Sequence, residues 1–378
     1  MRKIRVLIVD DSAVIRKLLG ETLAADPAVE VVGTAPNGKI AIAKIPQLEP
    51  DVITLDMEMP VMDGLETLTE LKKLDLKLPI IMFSTLTSRG AQATFDALAR
   101  GASDYVAKPA NVGSVNESIQ SVRESLLPKI KCLCPWYESE QTTPSLTSPV
   151  PSAEVSKPAT SEPSLIRPMA RLTRKIDIVA IGSSTGGPNA LQTVLAGLPA
   201  DFPVPIVITQ HMPPIFTQQL ANRLDQLSNI HVLEAEEGMP VIPGQAIIAR
   251  GNYHLTLERK KNEVFVKFNS DPHEHSCRPA VDVMLRSIAG LYGANTLGVI
   301  LTGMGHDGKQ GCDQLHSMGA QIIAQDKSTS TVWGMPRAVA ESGIADAVLP
   351  LDRIQTEIIN RVARHRTFRP LVGTGIAR

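Results

Sequence analysis

Carboxylates at Asp10, Asp11 and Asp56 each close an apolar run, Arg5-Val6-Leu7-Ile8-Val9 before the first two and Asp51-Val52-Ile53-Thr54-Leu55 before the third. Brought together at one sheet edge, such groups repel unless a divalent cation lies among them. An oxygen-only donor set with open positions suits Mg2+. The cation would neutralise charge on a phosphoryl group delivered to one carboxylate, a nucleophilic role open to Asp. Ser84 follows Ile80–Phe83 and Lys108 follows Tyr105-Val106-Ala107, so both reach the same edge with a hydroxyl donor and a cation for phosphate oxygens. Lys108-Pro109 is a candidate for the less common cis isomer of an X–Pro bond.

A second group of reactive residues lies far downstream. Gly182-Ser183-Ser184-Thr185-Gly186-Gly187 follows the apolar run Ile176 to Ile181. Gly182-x-Ser184-x-Gly186 fits a nucleophile elbow, where glycines permit a sharp strand-to-helix turn. Ser183 competes for the role but lacks flanking glycines at that spacing. A serine needs a base and an orienting acid. His211 follows Ile206–Thr209 and Asp307 follows Leu301 by a short glycine-rich turn, so both sit on loops at strand ends. Glycines at 303, 305 and 308 allow close backbone approach, and the amide of Met304 could face a tetrahedral oxyanion. The order Ser, His, Asp differs from that of the α/β-hydrolases. The glycine-rich turn could instead cradle a phosphate. His306 is an alternative base, and Asp271-Pro272-His273-Glu274-His275 reads as a polar loop rather than a metal site.

These residues need elements to carry them. Apolar runs alternate with amphipathic stretches over residues 4 to 127, the pattern of βα units around a parallel sheet. Strands are expected at Val6–Val9, Glu30–Gly33, Val52–Leu55, Ile80–Phe83 and Asp104–Val106. Helices are expected at Ala13–Ala25, Gly38–Gln47, Leu65–Leu74, Gly90–Arg100 and Val115–Leu127, which makes a doubly wound (βα)5 domain. From Pro128 to Arg171 periodicity stops and Pro, Ser and Thr dominate, so a mobile linker is expected. Beyond it, Ile176–Ile181, Pro205–Thr209, Ala246–Ala249 and Leu297–Leu301 read as buried strands of a second α/β parallel-sheet domain. Tyr253–Glu258 and Glu263–Asn269 read as a hairpin around Arg259-Lys260-Lys261-Asn262. The domains are therefore 1–127 and 172–370, with 128–171 between them.

The bulk properties agree with two globular domains: 378 residues, 43% hydrophobic, 20% charged. No apolar run is long enough to span a bilayer, and Asp10-Asp11 interrupts the apolar stretch after Met1-Arg2-Lys3, so direct membrane insertion and secretion are not expected. The expected location is the cytoplasm. A net charge of −1 gives no electrostatic reason for a nucleic-acid partner. Cys132, Cys134, Cys277 and Cys312 lack the paired spacing of a zinc site and read as reduced thiols.

Residues 4 to 127 resemble the receiver domain of two-component response regulators. The resemblance rests on Val9-Asp10-Asp11, Asp56-Met57-Glu58-Met59-Pro60-Val61-Met62-Asp63-Gly64, Phe83-Ser84, and Gly101-Ala102-Ser103-Asp104-Tyr105-Val106-Ala107-Lys108-Pro109. It implies that Asp56 accepts phosphate from a histidine kinase. It also implies that Asp10, Asp11, Asp56 and the carbonyl of Met57 hold Mg2+, and that Ser84 and Tyr105 relay the change to a surface.

Residues 176 to about 350 closely resemble the catalytic domain of the chemotaxis protein-glutamate methylesterase/glutaminase (CheB) family. The residues carrying this are Ile181 to Pro188, Gln210-His211-Met212-Pro213-Pro214, Ser276-Cys277-Arg278-Pro279-Ala280-Val281-Asp282, Leu301 to Gly308, and Trp333-Gly334-Met335-Pro336. The resemblance implies a Ser184, His211, Asp307 triad with oxyanion donors from Thr185 and Met304, and no cofactor for hydrolysis. The implied substrates are glutamate methyl esters and glutamines on the cytoplasmic helices of chemoreceptors. Arg250 stands where the family commonly has proline. A ligand-binding output domain without catalysis, or a hydrolase acting on another ester, are the rival readings. A DNA-binding output is weakest, since no basic recognition helix follows the linker.

Overall fold

The computed structural model describes residues 2–74, 78–108, 115–134, 136–137 and 174–364. Five parallel strands build the N-terminal sheet in the order β2-β1-β3-β4-β5: β1 Ile4–Val9, β2 Val29–Ala35, β3 Val52–Asp56, β4 Ile80–Ser84 and β5 Asp104–Ala107. β3 and β4 are buried at every residue, as expected where helices cover both faces. Polar caps start the helices. Ser12 accepts from Ile15 N before α1 (Ala13–Ala24), and Asn37 from Ile40 N before α2 (Gly38–Leu48). Asp63 and Glu66 form a capping box on α3 (Gly64–Lys73), and Thr87 caps α4 (Ser88–Arg100).

Helix α5 spans Val115–Cys132 and so runs past Pro128, where sequence periodicity had pointed to a linker. A proline inside a helix loses one amide bond and costs about 3 kcal/mol. Burial of Leu126, Leu127, Ile130 and Leu133 offsets this, together with the Lys129–Asp104 and Lys131–Asp26 ion pairs, both at 2.7 Å. Residues 135 and 138–171 of the expected linker, and Pro109 of the candidate cis bond, lie outside the described residues.

The C-terminal domain is built on a seven-stranded, all-parallel sheet, order β14-β13-β12-β6-β7-β9-β8. Its strands are β6 Ile178–Ser183, β7 Ile206–Gln210, β8 His231–Glu234, β9 Gln245–Ile248, β12 Thr296–Ile300, β13 Gln321–Gln325 and β14 Ala347–Leu349. The helices are α6 Gly187–Ala196, α7 Phe216–Leu227, α8 Val281–Tyr292, α9 Lys309–Ser317, α10 Met335–Glu341 and α11 Leu351–Ala363. The antiparallel hairpin β10 (His254–Lys260) and β11 (Glu263–Asn269) turns at Lys261-Asn262, two residues tighter than expected, with Lys261 at φ 57°.

In each sheet, strand order reverses beside the first strand: between β1 and β3 in the N-terminal domain, and between β6 and β12 in the other. Crevices outside the carboxyl ends of such strands bind ligands in open α/β sheets. Both sets of reactive residues fall there. The domains also pack on each other. From the N-terminal domain, α4 and β5 lie against α6, α7 and the turn after β6, with Arg223–Asp96 at 2.8 Å and Asn189 Nδ2 donating to Leu98 O at 2.9 Å.

Candidate functional site

At the first crevice the oxygens of Asp10, Asp11 and Asp56 lie within 4.8 Å of one another. Lys108 Nζ reaches them as expected, 2.7 Å from Asp56 Oδ1 and 3.1 Å from Asp10 Oδ2. The second approach lacks hydrogen-bond geometry, so Asp10 Oδ2 is a buried oxygen without a donor. Such an atom fits a cation-binding role. Met57 O accepts from Gly64 N at 3.0 Å and keeps its second lone pair. Asp56 Oδ1 also accepts from Met57 N at 2.7 Å. Its carboxyl is raised to about 6, by burial first and by the charge of Asp10, against the opposing pull of Lys108 and the Met57 amide.

Ser84 is buried and its hydroxyl donates to Gly90 O at 3.1 Å, so it faces α4 in this form rather than Asp56. Tyr105 is also buried. Its ring stacks on Phe216 of α7, with centroids 4.7 Å apart and planes 4° from parallel.

At the second crevice the backbone ladder continues past the strands and ties three loops together. Ser184 N donates to Thr302 O at 3.0 Å, His211 N to Ser183 O at 3.1 Å, and Leu301 N to Gly182 O at 2.9 Å. Gly186, at φ 76°, sits in the left-handed region that the turn into α6 requires. At Gly303 a Cβ would fall 2.9 Å from Ser184 Cβ, so a side chain there would displace the serine. The two serines separate by burial. Ser183 is fully buried and donates to Gln210 Oε1 at 2.7 Å, whereas Ser184 is partly exposed.

His211 Nε2 lies 2.7 Å from Asp307 Oδ2, closing one leg of the expected relay. Among the described residues no hydrogen bond joins Ser184 Oγ to His211, so the other leg is open. Asp307 is 2% exposed and saturated with donors. Oδ2 accepts from Val281 N (2.6 Å) as well as His211, and Oδ1 from Asp282 N and Gly308 N (both 2.8 Å). Burial opposes its charge, but His211 and these amides outweigh burial and hold the carboxyl below its usual range. His211 is raised to about 10: burial opposes the imidazolium, while hydrogen bonds with Asp307 and Cys277 favour it more strongly. His306 is exposed and packs edge-on to His275, centroids 4.8 Å apart, rather than toward Asp307.

Thr185 and Met304, the expected oxyanion donors, flank Ser184 and Gly303 in the chain. Both meet the N-terminal domain. Thr185 Oγ1 donates to Asp104 Oδ2 at 2.7 Å, and Met304 packs at the margin of a cluster built from that domain plus Val332. A cavity of about 290 Å³ spans the junction, lined by Tyr105 and Lys129 on one side and His211, Cys277 and Arg278 on the other.

Sequence reasoning missed Gln210, whose Nε2 donates to Ser184 O at 2.9 Å, and Asp104. It also missed Asp282, although Asp282 closed one of its motifs. A polar residue just before His211 was the available signal for Gln210. Glu274, His275 and Asp282 bring ligand-type atoms within 4.8 Å, but Arg286 holds both Glu274 oxygens, at 2.7 and 2.6 Å, so this is an ion-pair network. Arg250 is exposed over Tyr253, 6.0 Å from the ring centroid. No helix among the described residues is long and apolar enough to cross a membrane.

Comparison with known proteins places these features among relatives. Residues 179–358 match the family model of the CheB methylesterase, and residues 6–120 that of the response regulator receiver domain. A protein-glutamate methylesterase/protein-glutamine glutaminase of Trichodesmium erythraeum is 48% identical over 362 residues, covering 96% of this chain and 100% of that one. One from a Nocardioides species is 48% identical over 366 residues, covering 97% of both chains. The crystal structure of the Thermotoga maritima CheB methylesterase catalytic domain is 46% identical, covering 50% of this chain and 99% of that one, with a TM-score of 0.48.

Proposed function

This chain belongs to the protein-glutamate methylesterase/protein-glutamine glutaminase family, with a receiver domain joined to a CheB catalytic domain, and from that premise we propose how its residues work. The reaction is hydrolysis of glutamate methyl esters on the cytoplasmic helices of chemoreceptors, with deamidation of glutamines as second activity. Ser184 Oγ attacks the γ-carbonyl while His211 takes its proton. Asp307 holds the imidazole, and the amides of Thr185 and Met304 receive the oxyanion. His211 returns the proton to methanol or ammonia as it leaves. Water then attacks the glutamyl ester on Ser184 by the same relay and restores the free carboxylate. Ester and amide are both acyl groups, so one oxyanion site serves both.

The observation that carries this reading is the 2.7 Å His211–Asp307 bond at the strand ends that also present Ser184. The experiment is methanol release from methylated receptor membranes by the full chain. Ser184→Ala should lower it by about 10³-fold or more. Release at the wild-type rate would defeat the hydrolase and leave a binding module.

Receiver domains generally depend on Mg2+ for phosphorylation. Here Asp10, Asp11, Asp56 and the Met57 carbonyl would hold it, where it would neutralise charge on the incoming phosphoryl group. Asp56 is the acceptor, supplied by a chemotaxis histidine kinase. Lys108 is positioned to bind a phosphate oxygen.

The resting chain is closed. Asp104 grips Thr185, Met304 packs against the cluster that joins Val332 to the receiver, and Tyr105 stacks on the helix that follows the His211 loop. Phosphate on Asp56 would draw Ser84 away from Gly90 O and release Tyr105, shifting the population toward open. The site of action is the cytoplasm.

A further inference from the structure

Two helices beside the hydrolytic site start without side-chain caps of their own. α8 begins after Ala280 and α9 after Gly308, and neither residue supplies a cap bond. The missing acceptors are exchanged between them. Asp307, two residues before α9, accepts from Val281 N and Asp282 N at the head of α8, at 2.6 and 2.8 Å. Asp282, the second residue of α8, accepts from Gly311 N in the first turn of α9 at 2.6 Å. Each carboxylate therefore sits at the positive end of the other's helix.

Asp282 is fully buried, which is costly for a carboxylate with no part in the reaction. A third group joins the pair. His275 Nε2 lies 2.9 Å from Asp282 Oδ2 and 3.8 Å from Asp307 Oδ1, so an imidazolium there faces both charges. His275 holds φ 52°, an uncommon conformation for a side-chain-bearing residue. The charged groups around it are Glu274 and Arg286, paired with each other, and the exposed His306.

We propose that Asp282 and His275 are positioning residues of the hydrolytic site. They lock the exchanged caps of α8 and α9 and so fix the Asp307 carboxylate that orients His211. The inference rests on the Ser184, His211, Asp307 reading. Burial and the neighbouring Asp307 charge push the Asp282 carboxyl up against the opposing Gly311 amide, as expected of two acids sharing one small space. Removing the Asp282 side chain frees the first turn of α9 from α8 and lets Asp307, at its root, move. A displacement of about 1 Å at such a group can cost about 100-fold.

The test uses the full chain with a small phosphodonor, Mg2+ and methylated receptor membranes, reading kcat, KM and the pH profile. Asp282→Ala should lower kcat about 10- to 100-fold with KM within about twofold. The acid limb of kcat should move to lower pH, because His211 loses part of the carboxylate that raises it. Asp282→Asn keeps an acceptor for Gly311 N and should recover most of the rate. His275→Ala, in a partly exposed loop, should show a smaller loss with the same limb shift, and stands in if Asp282→Ala does not fold. A folded variant with lower melting temperature but wild-type kcat and limb would mean a purely structural role and overturn the proposal. Ser184→Ala, run alongside, separates the two readings: if it still releases methanol, the hydrolase itself is wrong.

Discussion

Asp56 and Asp307 are both carboxylates buried at the carboxyl end of a parallel sheet, 3% and 2% exposed, yet their surroundings push them in opposite directions. Asp307 accepts hydrogen bonds from His211 and from the amides of Val281, Asp282 and Gly308, two on each oxygen. Asp56 accepts from Met57 N and Lys108 on one oxygen and faces Asp10. Burial alone therefore does not decide the charge of an acid; the donors aimed at it do. The difference matches the tasks proposed for them. An orienting acid must never lose its charge and has no use for a free lone pair. A nucleophile needs an oxygen left unoccupied, and it tolerates a raised pKa because that makes the oxygen more basic.

Exchanging each acid for its amide tests this contrast most severely. Asp307→Asn should lower stimulated methanol release by about 10⁴-fold, the scale seen when the acid of a serine-protease triad is neutralised. Its amide nitrogen would turn His211 Nε2 into an acceptor and leave the proton on Nδ1, the nitrogen the serine needs free. Asp56→Asn should retain the basal rate and lose only the response to phosphodonor. Similar effects of the two substitutions on basal methanol release would erase the distinction between orienter and switch.

The same pair should split in stability, with opposite signs. Holding a carboxyl at about 6 rather than its ordinary range amounts to roughly 3 kcal/mol against the charged form. In chelator, Asp56→Asn should therefore stabilise the chain, by up to about 3 kcal/mol, a net figure in which the lost Lys108 attraction is already counted. The sign fixes the pH window. A folded pKa raised above the unfolded one penalises the native state above the unfolded value, and the penalty fades as pH falls through about 6. The stabilisation should thus be full at pH 7.5 and shrink below 6. Asp307→Asn should instead destabilise by about 3 kcal/mol, since either placement of the amide nitrogen strands an amide donor. Chemical denaturation at several pH values reads both, and a stabilising Asp307→Asn would refute the donor-count argument.

What the sequence made legible follows from the same physics. Buried parallel strands such as Val52–Asp56 are unbroken apolar runs ended by the functional residue itself, so the strand and its site appear together. Edge strands lack that signature: β8 alternates exposed and buried residues, and β14 is half-exposed. β13, though fully buried, opens and closes on glutamine, which hid it. Pro128 misled because it breaks a local rule that tertiary packing overrides. Ser184 could be preferred over Ser183 from spacing, while the Gln210 clamp that explains the buried one could not. Asp104 read as an ordinary strand start and Asp282 only as the end of a family motif, because their partners lie 81 and 29 residues away.

Asp104 links the two halves of the comparison, so it offers the finest test. Oδ2 of this one carboxylate accepts from Lys129 within the receiver and from Thr185 beside the proposed nucleophile, each at 2.7 Å. Asp104→Ala removes the direct tether on Thr185 while leaving Phe216 stacked on Tyr105 and Arg223 paired with Asp96. One charge-assisted bond among several contacts should shift the closed population modestly, so basal methanol release should rise about 3- to 10-fold. The fully phosphorylated rate should stay as it was, because the open form no longer makes the bond. The ratio of stimulated to basal rate would then shrink by the same factor. Lys129→Met separates the alternatives, since it unpairs Asp104 within the receiver but keeps the Thr185 bond and should leave the basal rate low. If Asp104→Ala folds and its basal rate equals wild type, the tether has no part in closure, and the aromatic stack must hold the receiver on its own.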